Sequence, residues 1–218
     1  MNQTLQAGVI GLGKFGYKFG KTLMELGHTV VGIDVDPDNI KRAQHVFSQV
    51  FQADATDKTA LSQMGVTDLT HVLVSVGDSI AASAMISMYL KELGVPVVWV
   101  KAINGDHEKL LHKIGVDEVV MPEHLAAKQL ANRMAIPGFI EHLPFDREMV
   151  IKELVIDQWA GKNLREMDLT NRYNIQVIAT RSAQENKFKF IPKADQRLEK
   201  GDVLVAIGHV VEMGRLQP

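Results

Sequence analysis

Residues Ala7 to Gly16 read A-G-V-I-G-L-G-K-F-G, a short apolar run entering Gly11-x-Gly13-x-x-Gly16. The order marks a strand that turns tightly into a helix beside a bound nucleotide. Gly11 makes the turn, Gly13 lets backbone approach a pyrophosphate, and Gly16 lets the helix lie close on the sheet. Phosphates placed there meet the positive end of the helix dipole and its free N–H groups. Lys14 and Phe15, inside the fingerprint, join the cofactor-binding candidates. Eighteen residues after Gly16 the run T-V-V-G-I-D ends in Asp34. Its carboxylate can accept both ribose hydroxyls and repels a 2′-phosphate, so the pattern favours an adenine nucleotide without that phosphate. Asp36 precedes Pro37, the ordinary order of a helix N-cap and first helical residue, so Asp36 reads as a cap and Asp34 as the ligand.

Outward from this motif, apolar strand-like runs alternate with helical patterns as far as about Met134. Strands are expected at Ala7–Ile10, Thr29–Asp34, Ser48–Gln52, His71–Val76, Val97–Val100 and Glu118–Met121. Helices are expected near Phe15–Leu26, Pro37–Val46, Lys58–Met64, Ile80–Leu93, Asp106–Ile114 and Glu123–Met134. Gly27, Gly65, Gly94 and Gly115 each fall just past a helix, where a left-handed cap belongs. The fold class is therefore α/β, a Rossmann-like doubly wound parallel sheet over residues 1–134. Turn signals from Ala135 to Pro144 read as a linker, and residues 145–218 as a small C-terminal α+β module. Its strands are expected at Met149–Val155, Ile175–Thr180, Lys187–Ile191 and Val203–Ile207, with a brief helix near Leu164–Met167. A module of that size has little core of its own and gains stability by pairing with another copy.

Composition removes several function classes. Among 218 residues, 46% are hydrophobic and 23% charged, ordinary for a globular chain, and the net charge of −2 announces no basic face for nucleic acid. No cysteine is present, which excludes disulfides, thiolate metal sites and thiol nucleophiles. With no signal-peptide pattern at the N-terminus, the expected location is the cytoplasm. The uncharged stretch Ser79 to Leu90 is short of the ~20 residues that span a bilayer, as is every other such run. The histidines form no H-E-x-x-H and no i,i+4 pair within one helix, so no zinc site is specified.

Further candidates lie at strand ends. In Ala53-Asp54-Ala55-Thr56-Asp57, Asp54 could meet the adenine edge or ribose while Ala55 backbone reads the base. Alternatively Asp54 merely ends a strand and Thr56 caps a helix. Gly77-Asp78 sits where phosphates would lie, or is a turn with Asp78 or Ser79 as N-cap. Lys101 follows the fifth strand and Glu123 follows Pro122 after the sixth. A carboxylate beside a triphosphate is repelled unless a divalent cation bridges them, so a functional Glu123 implies a metal such as magnesium. Otherwise it is a solvated first-turn glutamate favoured by the helix dipole.

Taken together these stretches resemble the RCK or KTN proteins, the cytosolic gating subunits of Ktr and Trk potassium uptake systems. The matching segments are V-I-G-L-G-K-F-G, G-I-D-V-D, A-D-A-T-D, V-S-V-G-D with the alanine-serine helix after it, V-W-V-K-A, K-I-G-V-D-E-V-V-M-P-E and G-D-V-L-V-A-I-G. One nucleotide fold with one C-terminal module resembles the single-copy Ktr type. The resemblance implies ATP, ADP or NAD(H) as cofactor, a homodimer assembled into an octameric ring, and a membrane-embedded potassium channel or transporter partner, KtrB- or TrkH-like. The chain would then sit at the inner face of the membrane through that partner. It also implies Gly11, Gly13 and Gly16 at phosphates, Asp34 at ribose, Asp54 near adenine, and Glu123 near the γ-phosphate and metal across a subunit boundary. Lys14 stands where arginine is common, and lysine neutralises a phosphate as a point charge without the bidentate fork. Cyclic di-AMP binds the C-terminal module in some members, but T-N-R-Y-N at 170–174 matches that pattern poorly and the ligand is not assigned.

Two other classes compete. An NAD-dependent oxidoreductase shares the fold but needs a positioned acid or base, and the small module shows no such constellation. A redox-sensing repressor needs a basic reader helix, for which the slightly negative chain leaves no place.

Overall fold

The computed structural model describes residues 4–77, 79–143, 146–185 and 187–218. The chain divides into two compact units, Met1–Glu123 and His124–Pro218. In the first, β1 (Gln6–Ile10) leads to α1 (Lys14–Glu25), β2 (Thr29–Asp34), α2 (Pro37–Ala43), β3 (Gln49–Gln52) and α3 (Lys58–Gln63). After a 3-10 turn at Val66–Asp68 come β4 (His71–Val74), α4 (Ile80–Glu92), β5 (Val97–Lys101), α5 (Gly105–Ile114) and β6 (Glu118–Val120).

All six strands are parallel, in the order β3-β2-β1-β4-β5-β6. A central parallel strand is covered on both faces, so β1 is a continuous apolar run and not an alternating one. Its side chains still point alternately: Val9 joins a core layer with Leu12, Val30 and Phe47, and Ile10 joins the opposite layer with Ile33, Val74 and Val98. The helix α1 presents Gly16 and Gly20 on its buried face, and the Phe47 ring fills the space beside Gly20. The four cap glycines, 27, 65, 94 and 115, all have positive φ as expected.

The helix α6 spans Pro122–Ala135 and buries none of its residues. Beyond it the second unit forms an antiparallel sheet in the order β10-β9-β11-β8-β7, from β7 (Phe139–Leu143), β8 (Asp146–Val155), β9 (Gln176–Arg181), β10 (Lys189–Phe190) and β11 (Val203–His209). Short helices α7 (Leu164–Met167), α8 (Leu169–Tyr173) and α9 (Val210–Arg215) complete it. Asn163 and Glu166 form a reciprocal capping box that starts α7. The core gathers Val150, Leu154, Ile156, Ile175, Leu204 and Met213.

Two expectations are corrected. The segment 135–144 is not a free linker, because β7 lies within it and pairs with β8. Its turn residues initiate that strand: Gly138 at φ +75 comes so close to β8 that an added Cβ would sit 2.1 Å from the Glu153 carbonyl oxygen. The compact units also divide at Glu123 and not at Met134, since an unburied α6 contributes no core to the first. Pro144 falls outside the described residues.

Candidate nucleotide-binding site

The strand order reverses between β1 and β4, and in open parallel sheets the crevice outside the carboxyl ends at that point receives ligands. A cavity of about 870 Å³ lies there. It is lined by Gly11, Gly13, Lys14, Phe15, Asp34, Asp54, Ala55, Thr56, Gly77, Lys101 and Glu123, eleven of the sequence candidates. Gly16 lies behind the wall and Asp78 falls outside the described residues.

Each fingerprint glycine has a different local reason. Gly11 has φ +90, and a Cβ there would lie 2.7 Å from the Ser75 carbonyl oxygen at the end of β4. At Gly16 a Cβ would meet the Gly11 carbonyl oxygen at 2.0 Å, so glycine alone lets α1 approach the turn. At Gly13 nothing lies within 4 Å. That position is the N-cap of α1, with no side-chain hydrogen bond capping the first turn. Free N–H groups at a helix N-terminus attract an anion.

Asp34 sits at the end of β2. Its Oδ2 accepts the Leu12 N–H at 2.5 Å and an Asn39 Nδ2–H at 3.1 Å, and its Oδ1 accepts the Asp36 N–H at 2.8 Å. Asp36 accepts the Asp38 N–H at 2.8 Å and caps α2, as its place before Pro37 implies. The Asp54 Oδ1 accepts both the Thr56 hydroxyl at 2.7 Å and the Thr56 N–H at 2.9 Å. Those bonds hold the Asp54 carboxyl below its ordinary pKa. The cap of α3 is Asp57, which accepts from the Thr59 and Ala60 N–H groups, and this corrects the capping role considered for Thr56. Ser79 caps α4 by accepting the Ala82 N–H.

Lys101 donates to Glu123 Oε1 at 2.6 Å, and its ammonium lies 6.0 Å from the Phe15 ring centroid. The lysine side chain is 15% exposed against 70% for the glutamate. This hydrogen bond, first among its causes, depresses the Glu123 pKa. Glu123 therefore already has a counter-charge in Lys101, and a cation at phosphates would add to that charge and not supply it alone. Magnesium usually takes one or two carboxylates and completes its shell with phosphates and water. Among the described residues no group of three His, Cys, Asp or Glu could hold a metal alone, so Glu123 fits only as one ligand of a phosphate-bound ion. Lys14 and Lys101 thus line the cavity together with Asp34, Asp54 and Glu123, and Asp34 holds the Leu12 N–H within the glycine turn.

Asn39 escaped the sequence reading. It lies inside α2, where an asparagine carries no motif, and only the fold brings it to Asp34.

A TrkA-N domain model matches residues 7–122 and a TrkA-C domain model residues 153–217. The chain is 34% identical over 210 residues to the Ktr system potassium uptake protein C of Bacillus subtilis (strain 168), covering 96% of this chain and 94% of that one. Among solved structures, the GsuK channel aligns with 98% of this chain at a TM-score of 0.65 and 16% identity, this chain spanning 39% of the channel's own. The GsuK channel bound to NAD aligns over 98% of this chain and 38% of that one, with a TM-score of 0.56 and 17% identity. At those identities the structural likeness shows the fold. The sequence relative is a potassium uptake protein, which sets the oxidoreductase reading aside. Over both of its units, the chain belongs to the TrkA-N/TrkA-C family of potassium uptake proteins.

Proposed function

We propose that this chain is the nucleotide-binding regulatory subunit of a potassium uptake system, gating a membrane-embedded channel or transporter subunit from the cytoplasmic side. One observation carries the reading: an uncapped helix N-terminus, open space beside Gly13 and an acid-ended second strand converge on one cavity in a chain of this family. ATP, ADP or NAD(H) is the ligand class, with the phosphates at Gly11, Gly13 and Lys14 and the nucleoside toward Asp34, Asp54 and Ala55. Gating needs only a difference in affinity between two shapes of the assembly, and a coupling of about 1–3 kcal/mol shifts affinity five- to 150-fold.

Lys101 is the residue whose partner differs between nucleotides. It pairs with Glu123 or turns to a terminal phosphate, and Glu123 then requires another cation. Magnesium, when bound, would supply that charge.

No helix among the described residues is long and apolar enough to cross a membrane, so the proposed contact with the bilayer runs through the partner. Self-association is supported by apolar side chains left exposed: Leu125, Leu130 and Met134 on α6, and Met85 and Met88 on α4. The proposed assembly is a homodimer and, with ATP, an octameric ring. Light scattering after size exclusion, with native mass spectrometry to identify retained nucleotide, tests this. A dimer or larger species carrying adenine nucleotide is expected. A nucleotide-free monomer at micromolar concentration, with and without ATP, refutes it.

A further inference from the structure

Asp34 has fewer free acceptor positions than its place suggests. An ionised carboxylate offers about four lone-pair sites. Leu12 N–H, Asp36 N–H and Asn39 Nδ2 take three of them. One is left for ligand, so Asp34 alone cannot receive both hydroxyls of a ribose while the turn keeps its bonds.

The orientation of Asn39 is fixed by chemistry on both sides. Arg42 Nη2 donates to its Oδ1 at 3.0 Å, and an arginine can only donate. The amide nitrogen must therefore face Asp34, which can only accept. Arg42 is itself held: Nη2 also donates to the Leu12 carbonyl, and its guanidinium stacks 4.5 Å from the Tyr17 ring centroid. An amide nitrogen carries two protons, of which the bond to Asp34 uses one. Asn39 lines the same cavity wall as Asp34, so the second proton is available to a ligand there.

Resting on the nucleotide reading above, we propose that Asn39, held by Arg42, is a second ribose-reading residue, donating its remaining amide N–H to a ribose hydroxyl while Asp34 accepts from the sugar. A hydroxyl both donates and accepts, so the pair matches a free ribose hydroxyl in a way that neither a hydrogen atom nor a phosphate reproduces. Both protons of Arg42 Nη2 are spent on Asn39 and Leu12, so that nitrogen does not welcome a 2′-phosphate. The ligand class is a nucleotide with unmodified 2′ and 3′ hydroxyls.

Calorimetry on the full chain with ADP, 2′-deoxy-ADP and 3′-deoxy-ADP tests this, comparing the unaltered protein with Asn39→Leu and Asn39→Ala. Affinity ratios are read within each protein, so a partly unfolded fraction cancels. The unaltered chain should prefer ADP to at least one deoxy analogue by about tenfold or more, and either substitution should shrink that ratio about fivefold, one uncharged hydrogen bond. Arg42→Leu should shrink it in the same direction by freeing the amide to turn. An unchanged ratio in both Asn39 variants overturns the proposal and leaves the nucleotide reading standing, as do equal affinities for all three ligands in the unaltered chain. Binding of none of the three by the unaltered chain removes both.

Discussion

Replacing Gly13 and Gly16 separately with alanine should split the glycine fingerprint into a binding effect and a folding effect. At Gly16 the added Cβ would lie 2.0 Å from the Gly11 carbonyl oxygen and 3.2 Å from Val9 Cγ1. The oxygen belongs to backbone and cannot rotate away, so α1 must withdraw by about 1 Å to reach even a tight 3.0 Å contact. Overpacking of this kind costs about 1–3 kcal/mol, whereas alanine's helix propensity returns up to ~1 kcal/mol. Packing wins, and a net loss of about 1 kcal/mol lowers a urea midpoint by roughly 0.5 M at an m-value near 2 kcal/mol/M. At Gly13, φ is −60 and nothing lies within 4 Å of the new methyl group. Alanine is a poorer N-cap than glycine but restricts the unfolded chain, two opposing contributions each under about 1 kcal/mol, so stability should hardly move. Nucleotide affinity should fall, because the methyl group occupies the approach path of the phosphates. Urea unfolding followed by Trp99 fluorescence in a Trp159→Phe background reports the first unit, and calorimetry with ADP reports the site. A Gly13→Ala protein that binds ADP as tightly as the unaltered chain refutes the reasoning. So does a Gly16→Ala protein of undiminished stability.

Asp34→Ala should weaken ATP, ADP and NAD by a similar factor, since all three share the ribose contact, and a lost charged hydrogen-bond partner costs roughly 1.5–3 kcal/mol. Unchanged calorimetric affinity for all three removes Asp34 from the site. Glu123→Gln should reduce the magnesium dependence of ATP binding and leave ADP nearly untouched, and equal effects on both nucleotides count against a role at the γ-phosphate. His107 is 1% exposed, its Nδ1 accepts the Ile103 N–H, and its Nε2 has no partner among the described residues. Burial lowers its pKa below 6.5, so the unfolded chain binds a proton that the folded chain refuses. The stability it contributes is complete above pH 6.5 and is lost as pH falls below it. The melting temperature should therefore drop less between pH 7 and pH 5 in His107→Gln than in the unaltered chain. Parallel pH curves would show that His107 is not the titrating group.

The first unit was legible because each of its levels repeats the same message. The apolar runs at β1, β2 and β4 are short and continuous, four helices (α1, α3, α4 and α5) are followed by a left-handed glycine, and the fingerprint joins β1 to α1. Parallel topology then brings residues from distant strand ends to one edge, which is why Asp34, Asp54, Gly77 and Lys101 were found together. The second unit carried weaker signals. Its α8 has five residues and α9 six, too few for a helical period to show, and β7 hides behind Pro137 and Gly138. By contrast the brief helix expected near Leu164–Met167 is found as α7, started by the capping box of Asn163 and Glu166. Partners were the least legible property. The pairing of Lys101 with Glu123 spans 22 residues and that of Arg42 with Leu12 spans 30, and neither separation has a period to reveal it.

Two carboxylates of the cavity are held in their ionised form. A general acid or base works best when its pKa lies near the operating pH, and active sites raise carboxyl pKa values by burial to achieve this. Here Asp54 is pushed down by Thr56 and Glu123 by Lys101. Both carboxylates are held ionised, as charge-bearing contacts and not as proton carriers. Under the proposed function the site's output must then be mechanical. Nucleotides sharing ribose and adenine engage Asp34 and Asp54 alike and differ at the glycine turn, where Lys14, Lys101 and Glu123 meet the phosphate end. Because Glu123 opens α6, any change in the pairing of Lys101 acts on a helix that buries none of its own residues.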